Sequence, residues 1–225
     1  MLKTVFLLDV DNTLLDNDRF ADDLGDRVEA AFGAAGRARY WALYAELRDA
    51  LGYADYLGAL QKFRGDHEDD PALLALSDYL MEYPFADRLY PGALDAIAHL
   101  RTLGTTGILS DGDIVFQPRK IRRAGLWDAV DGELMICVHK QARLDAVQAR
   151  YPADHYVMVD DKPGILADMK RTLGDRVTTV FVRQGHYAAA ADPALRPAPD
   201  LDIAGIDALA ALAPSAFMPT SPGAR

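Results

Sequence analysis

The sequence predicts an α/β protein: a doubly wound parallel sheet with an all-helical insertion after its first strand. Three observations predict it. Five short apolar or β-branched runs each stop abruptly at polar residues or glycine. Amphipathic helical stretches fill the gaps between the later runs, which is the alternation of βαβ units. Residues 16–88 break that alternation and carry helical periodicity without a strand run.

The elements follow in chain order. Val5–Leu8 reads as a buried parallel strand and ends at Asp9-Val10-Asp11-Asn12-Thr13. In the insertion, Phe20, Leu24, Val28, Ala31 and Phe32 recur at near-helical spacing. Tyr40, Trp41, Tyr44, Leu47 and Leu51 do the same, and Leu73–Tyr83 forms a further helix. Pro91–Leu103 is a helix with proline near its start and Gly104 at its end. The strand Thr105–Leu109 then runs into Ser110-Asp111-Gly112-Asp113, and the helix Phe116–Ala124 stops at Gly125. Leu134–Val138 is a strand ending at His139-Lys140, with a helix over Gln141–Tyr151. Tyr156–Val159 ends at Asp160-Asp161-Lys162, followed by the helix Pro163–Leu173 and Gly174. Val177–Val182 closes the series at Arg183-Gln184-Gly185. The tail is rich in alanine and proline; a short helix is expected over Ile203–Leu212 and disorder from Pro214 to Arg225. The organisation is therefore a core of residues 1–15 and 89–190, a helical cap of 16–88, and a partly disordered extension, 191–225.

Composition narrows the function classes. The chain has 225 residues, half of them hydrophobic, and a net charge of -10. An acidic surface argues against nucleic-acid binding, which rests on neutralising phosphates with Lys and Arg. It leaves room for an anionic small substrate, because a metal and a local lysine reverse the field inside one pocket. Cys137 is the one cysteine and sits in the apolar run Leu134–Val138, so a buried structural thiol is expected and no disulfide. No stretch approaches the ~18 apolar residues that span a bilayer, and the N-terminus lacks a signal-peptide pattern, so a cytoplasmic protein is expected.

The C-terminal edges of parallel strands lie on one side of a sheet, where open α/β sheets bind ligands. That rule gathers Asp9, Asp11, Ser110, Lys140, Asp160 and Asp161. Like charges held close are costly unless a cation neutralises them or one carries a proton. The acids are thus a candidate Mg²⁺ site with a nucleophile and an acid/base beside it.

With these groups in this order, the chain resembles the haloacid dehalogenase superfamily of phosphohydrolases over roughly residues 3–185. Asp9-Val10-Asp11-Asn12-Thr13 matches its Asp-x-Asp-x-Thr motif, Ser110 its Ser/Thr, Lys140 its lysine, and Asp160-Asp161 its acidic cluster. The helical insertion resembles the family's C1-type cap. The resemblance implies that Asp9 attacks phosphorus and forms an aspartyl-phosphate, and that Asp11 is the general acid and base. It implies that Ser110 donates to a phosphoryl oxygen, with Thr13 and the Asp111 backbone also on the substrate side. Lys140 would neutralise the nucleophile and the transferring group. Asp9, Asp11 (by its backbone carbonyl), Asp160 and Asp161 would hold Mg²⁺. Family members that cleave carbon–halogen bonds generally lack an acid at the Asp11 position, so its presence favours phosphate esters. The usual glycine before Thr13 is Asn12, a residue that tolerates unusual backbone angles.

Competing assignments have structural meanings. Lys120 lies among Arg119, Arg122 and Arg123 and reads as part of an exposed basic helix face, which favours Lys140 as the site lysine. Lys162 is a neighbour of the site. His139 and His155 read as structural, Asp111 and Asp113 as possible caps of the next helix, and Asp16 and Asn17 as a hinge, an N-cap or a substrate contact. A response-regulator receiver puts its acidic pair at the first strand and its phosphorylated Asp later, the reverse of the order here. The expected partner is a small phosphate monoester, not nucleic acid or membrane, with the protein a monomer or homodimer. A phosphotransferase or mutase and a haloacid dehalogenase are the rival activities.

Overall fold

A computed structural model describes residues 2–218. Six strands form one sheet: β1 (Thr4–Leu8), β2 (Thr105–Asp111), β3 (Leu134–Cys137), β4 (His155–Asp160), β5 (Val177–Val182) and β6 (Leu201–Ile203). Their order is β3-β2-β1-β4-β5-β6, and every pairing is parallel. The chain leaves β1 in one direction toward β2 and returns on the other side at β4, so the order reverses between β1 and β4. The crevice beyond the carboxyl ends at such a reversal is where open sheets take ligands.

Side-chain alternation along the strands builds two cores. Phe6 and Leu8 of β1, with Val157, Val159, Val180 and Val182, face one side. Val5 and Leu7, with Tyr156, Met158, Val177 and Phe181, face the other. A strand buried on both faces has no polar alternation, which is why β1 reads as a continuous apolar run.

The insertion holds α1 (Asn17–Leu51), α2 (Tyr56–Phe63) and α3 (Ala72–Glu82). Asp16 caps α1 by accepting from Arg19 N at 2.9 Å, and non-helical angles at Gly33 interrupt the helix. Phe20, Leu24, Val28, Tyr40, Tyr56, Phe63, Leu76 and Leu80 are buried in the same cluster as Phe6 and Leu8, so the helices extend the sheet's core. The remaining helices are α4 (Ala93–Leu103), α5 (Phe116–Arg123), α6 (Leu126–Ala129), α7 (Leu144–Arg150), α8 (Pro163–Leu173) and α9 (Gly185–Ala189). Among the described residues no helix is long and apolar enough to cross a membrane.

The structure departs from the sequence reading at five places. β2 runs on through Ser110 and Asp111, because the ladder to β3 continues to Asp111↔Cys137. Lys140–Ala142 forms a 3-10 turn, so the following α-helix starts only at Leu144. A sixth strand pairs with β5 at Leu201–Ile203, and a 3-10 segment, Ile206–Ala211, replaces the expected helix. Pro214–Phe217 is a 3-10 turn rather than disordered chain. Phe217 meets Phe6 edge-to-face at 5.3 Å, and its carbonyl accepts from Thr178 Oγ1 at 3.2 Å. The rest of the expected disorder, 219–225, lies outside the described residues. Cys137 is half-buried rather than buried.

Candidate active site

Asp9 is the first residue beyond β1, and its N–H still bonds to Val159 of β4 at 3.0 Å. That bond fixes its backbone over the crevice. Asp160 ends β4 and Asp161 follows it. One carboxylate oxygen from each of Asp9, Asp160 and Asp161 lies within 4.8 Å of the others, and all three residues are buried. Into this cluster comes Lys140, 1% exposed, from the turn after β3. Its Nζ donates to Asp9 Oδ1 and lies 2.6 Å from Asp160 Oδ2. Burial disfavours the Lys140 ammonium, yet Asp160 and Asp9 outweigh it and hold the pKa above the usual lysine range. Burial first, then the charges of Asp160 and Asp9, push the Asp161 carboxyl up to about 9. Both Asp161 oxygens are buried without a hydrogen-bond partner among the described residues. Buried carboxylate oxygens are seldom left so.

The second acid sits differently. Asp11 Oδ1 accepts from Lys120 Nζ at 2.7 Å, and Oδ2 accepts from Gln117 Nε2 at 3.2 Å. Gln117 Nε2 also donates to Ser110 Oγ at 3.0 Å, so one side chain of α5 ties the acid to the hydroxyl. Thr13 Oγ1 stands 3.5 Å from Asp9 Oδ2. Asn12 has φ 61°, the left-handed conformation its side chain tolerates, and its Oδ1 accepts from Asn17 N and Asp18 N. Gly185 presses on this turn: with φ +70°, an added Cβ would stand 2.4 Å from Asn12 Cβ.

The strand ends open into a cavity of about 280 Å³, whose walls include Asp11, Asn17, Tyr44, Arg48, His139 and Lys162. The insertion contributes Asn17, Tyr44 and Arg48, so it closes one side of the cavity. A larger depression of about 460 Å³ lies wholly on the insertion, between Leu60 and Ser77, and shares no residue with the strand ends.

The sequence-predicted residues therefore divide. Asp9, Lys140, Asp160 and Asp161 come together in one buried cluster. Ser110, Thr13 and Asp11 stand around it, with the Asp11 carboxylate outside the acidic triad and taken up by Lys120 and Gln117. Asp111 turns its side chain to Lys140 N, at 2.8 Å, and so holds the lysine's backbone. Asp113 Oδ1 accepts from Val115 N at 2.8 Å and from Phe116 N, the first N–H of α5. Asn17 and His139 reach the cavity wall, while His155 is buried against Thr178.

Lys120 requires a correction. The expected exposed basic face belongs to Arg119, Arg122 and Arg123; Lys120 is 0% exposed and bonded to Asp11. The reason is helical phase: Lys120 is one turn on from buried Phe116 and next to buried Ile121. Gln117 escaped the sequence reading altogether, though it shares that phase.

The family model for haloacid dehalogenase-like hydrolases matches residues 3–174. The chain belongs to the haloacid dehalogenase-like hydrolase family. It is an enzyme of the hydrolase class. A protein of Burkholderia xenovorans LB400, assigned as a haloacid dehalogenase-like hydrolase, is 52% identical, with 96% of this chain and 99% of that one covered and a TM-score of 0.88. Two further structures share the fold at lower identity. The L-2-haloacid dehalogenase of Xanthobacter autotrophicus with chloropropionic acid covalently bound is 21% identical (94% and 98% covered, TM-score 0.60). The HAD-hydrolase YfnB of Bacillus subtilis bound to magnesium is 16% identical (93% and 97% covered, TM-score 0.60). No curated protein matches the chain at a significant level.

Proposed function

We propose that this hydrolase cleaves a small phosphate monoester in two steps through an aspartyl-phosphate on Asp9, with Mg²⁺ as cofactor. The supporting observation is the second acid: Asp11 lies on the cavity wall, held by Lys120 and Gln117. A halide leaves as a stable anion and needs no proton. An alkoxide needs one, and a positioned acid supplies it. The arrangement therefore suits ester cleavage better than carbon–halogen cleavage.

The donor set fits a hard divalent cation. Asp9, Asp160 and Asp161 offer oxygens only, and both Asp161 oxygens lack a partner. When bound, Mg²⁺ would offset the repulsion between a carboxylate nucleophile and a phosphate dianion.

The chain's own groups then act in sequence. An Asp9 oxygen attacks phosphorus while the bond to the ester oxygen breaks, and Asp11 gives that oxygen its proton. Lys140 keeps the nucleophile oriented and offsets charge on the transferring group. Ser110 and the Asp111 backbone hold phosphoryl oxygens. A water molecule next attacks phosphorus and passes a proton to Asp11; the bond to Asp9 breaks and phosphate departs. The helical insertion serves as a cap that excludes bulk water from the cavity.

The test is release of inorganic phosphate from a panel of monoesters with Mg²⁺, against release of halide from 2-haloacids. Phosphate release that disappears in Asp9→Asn, with thermal unfolding unchanged, is expected. Halide release without phosphate release, or full phosphatase activity in Asp9→Asn, overturns the reading.

A further inference from the structure

Lys120 is an unusual lysine. It is 0% exposed. Four aromatic rings surround its ammonium, those of Phe20, Tyr56, Phe85 and Phe116, with centroids 5.7 to 5.8 Å away. Its hydrogen bonds go to Asp11 Oδ1 at 2.7 Å and Asn17 Oδ1 at 2.9 Å. Taking an ammonium out of water is costly, and ring faces and two acceptors repay only part of that cost. A methionine of similar volume would fill the same space without it. The charge calls for another explanation than packing.

We infer that Lys120 is a positioning residue: it clamps the acid/base Asp11 in place and joins it to the helical insertion. Two bonds from α5 fix the Asp11 carboxylate, one oxygen to Lys120 and one to Gln117. The other acceptor of Lys120, Asn17, is the first residue of α1 and lines the cavity. Asn17 Nδ2 in turn donates to Tyr56 OH of α2 at 3.1 Å. Three of the four rings, Phe20, Tyr56 and Phe85, come from the chain between β1 and α4, and Phe116 comes from α5. The ammonium is thus a joint through which the insertion's seating sets the reach of the acid. A displacement of about 1 Å in such a group costs on the order of 100-fold in rate.

The inference rests on the phosphatase reading, and leaving-group dependence tests the two separately. Protonation matters for an alkyl phosphate, whose leaving alkoxide is strongly basic, and little for p-nitrophenyl phosphate. The value of kcat/KM reports steps through ester cleavage, whereas kcat also includes attack by water, which needs Asp11 as base. In the Mg²⁺-loaded enzyme, Lys120→Met is expected to lower alkyl-phosphate kcat/KM by about 100-fold, within the usual range for general acid catalysis. For p-nitrophenyl phosphate, kcat/KM should change by less than about threefold while kcat falls. In an Asp11→Asn background, the same substitution should add little, since it acts through the missing acid. Equal loss of kcat/KM on both esters, the mark of a merely structural lysine, overturns the inference and leaves the phosphatase reading standing. A wild-type protein that releases phosphate from neither ester overturns both. If Lys120→Met does not fold, Asn17→Ala decides: the same split at about tenfold is expected, and its absence overturns the inference.

Discussion

If the acidic cluster takes up a cation as proposed, the charge state of Asp161 sets the pH dependence of that uptake. Burial, then Asp160 and Asp9, hold its carboxyl up at about 9 against an ordinary 3.8, with Lys162 and Lys140 opposing the rise. The folded, metal-free chain therefore binds a proton that the unfolded chain gives up. Stability from this group is fully present below pH 3.8 and is lost as pH rises through about 9. A divalent cation needs the ionised carboxylate and must displace that proton. At pH 7, about two units below the folded value, roughly 1% of the group is ionised. Apparent Mg²⁺ affinity should therefore be about 100-fold below its alkaline limit and rise about tenfold per pH unit between 6 and 8, with about one proton released.

Calorimetric titration with Mg²⁺ at pH 6, 7 and 8, in two buffers of different ionisation enthalpy, reads both quantities. An affinity independent of pH, with no proton released, would show that Asp161 is already ionised or does not meet the metal. Asp161→Asn completes the test. An amide replaces a neutral carboxyl nearly isosterically but takes up no proton on folding, so metal-free stability at pH 7 should rise rather than fall. The rise in Tm on adding Mg²⁺ should shrink or vanish. Loss of several kcal/mol in the metal-free variant contradicts the assigned protonation.

Two further outcomes follow from packing and charge. Lys140→Met removes the cation between Asp9 and Asp160; metal-free stability in urea should fall by about 3–5 kcal/mol, with Mg²⁺ restoring part of it and phosphate release still down by orders of magnitude. An unchanged urea midpoint shows that the cluster does not depend on that charge. Phe217→Ala empties a site 1% exposed against Phe6; it should cost about 3–5 kcal/mol, and a loss below about 1 kcal/mol shows that the tail does not pack there.

Strand ends made much of the site legible. Asp9, Ser110, Lys140, Asp160 and Asp161 each stand where an apolar run breaks into polar residues, and one topological rule places all such breaks on the same edge. Lys120 was obscured by its neighbours' charge. Arg119 and Arg123 turn outward to Glu82, and Arg122 stacks on Trp127 at 4.2 Å. Phase was the better guide, since Phe116, Gln117, Lys120 and Ile121 form one buried face. Phase alone still names no partner. That Lys120 meets Asp11 depends on β2 lying beside β1 and on an insertion that brings Phe20 and Tyr56 over the same ammonium. The same non-locality hid β6. Three residues carry too little pattern to announce a strand, and the β5 ladder with Asp200 accepting from Thr179 N at 2.8 Å supplies what the local sequence lacks. Local pattern places a group on an edge or a face; only the sheet order decides which distant acid or ring it answers to.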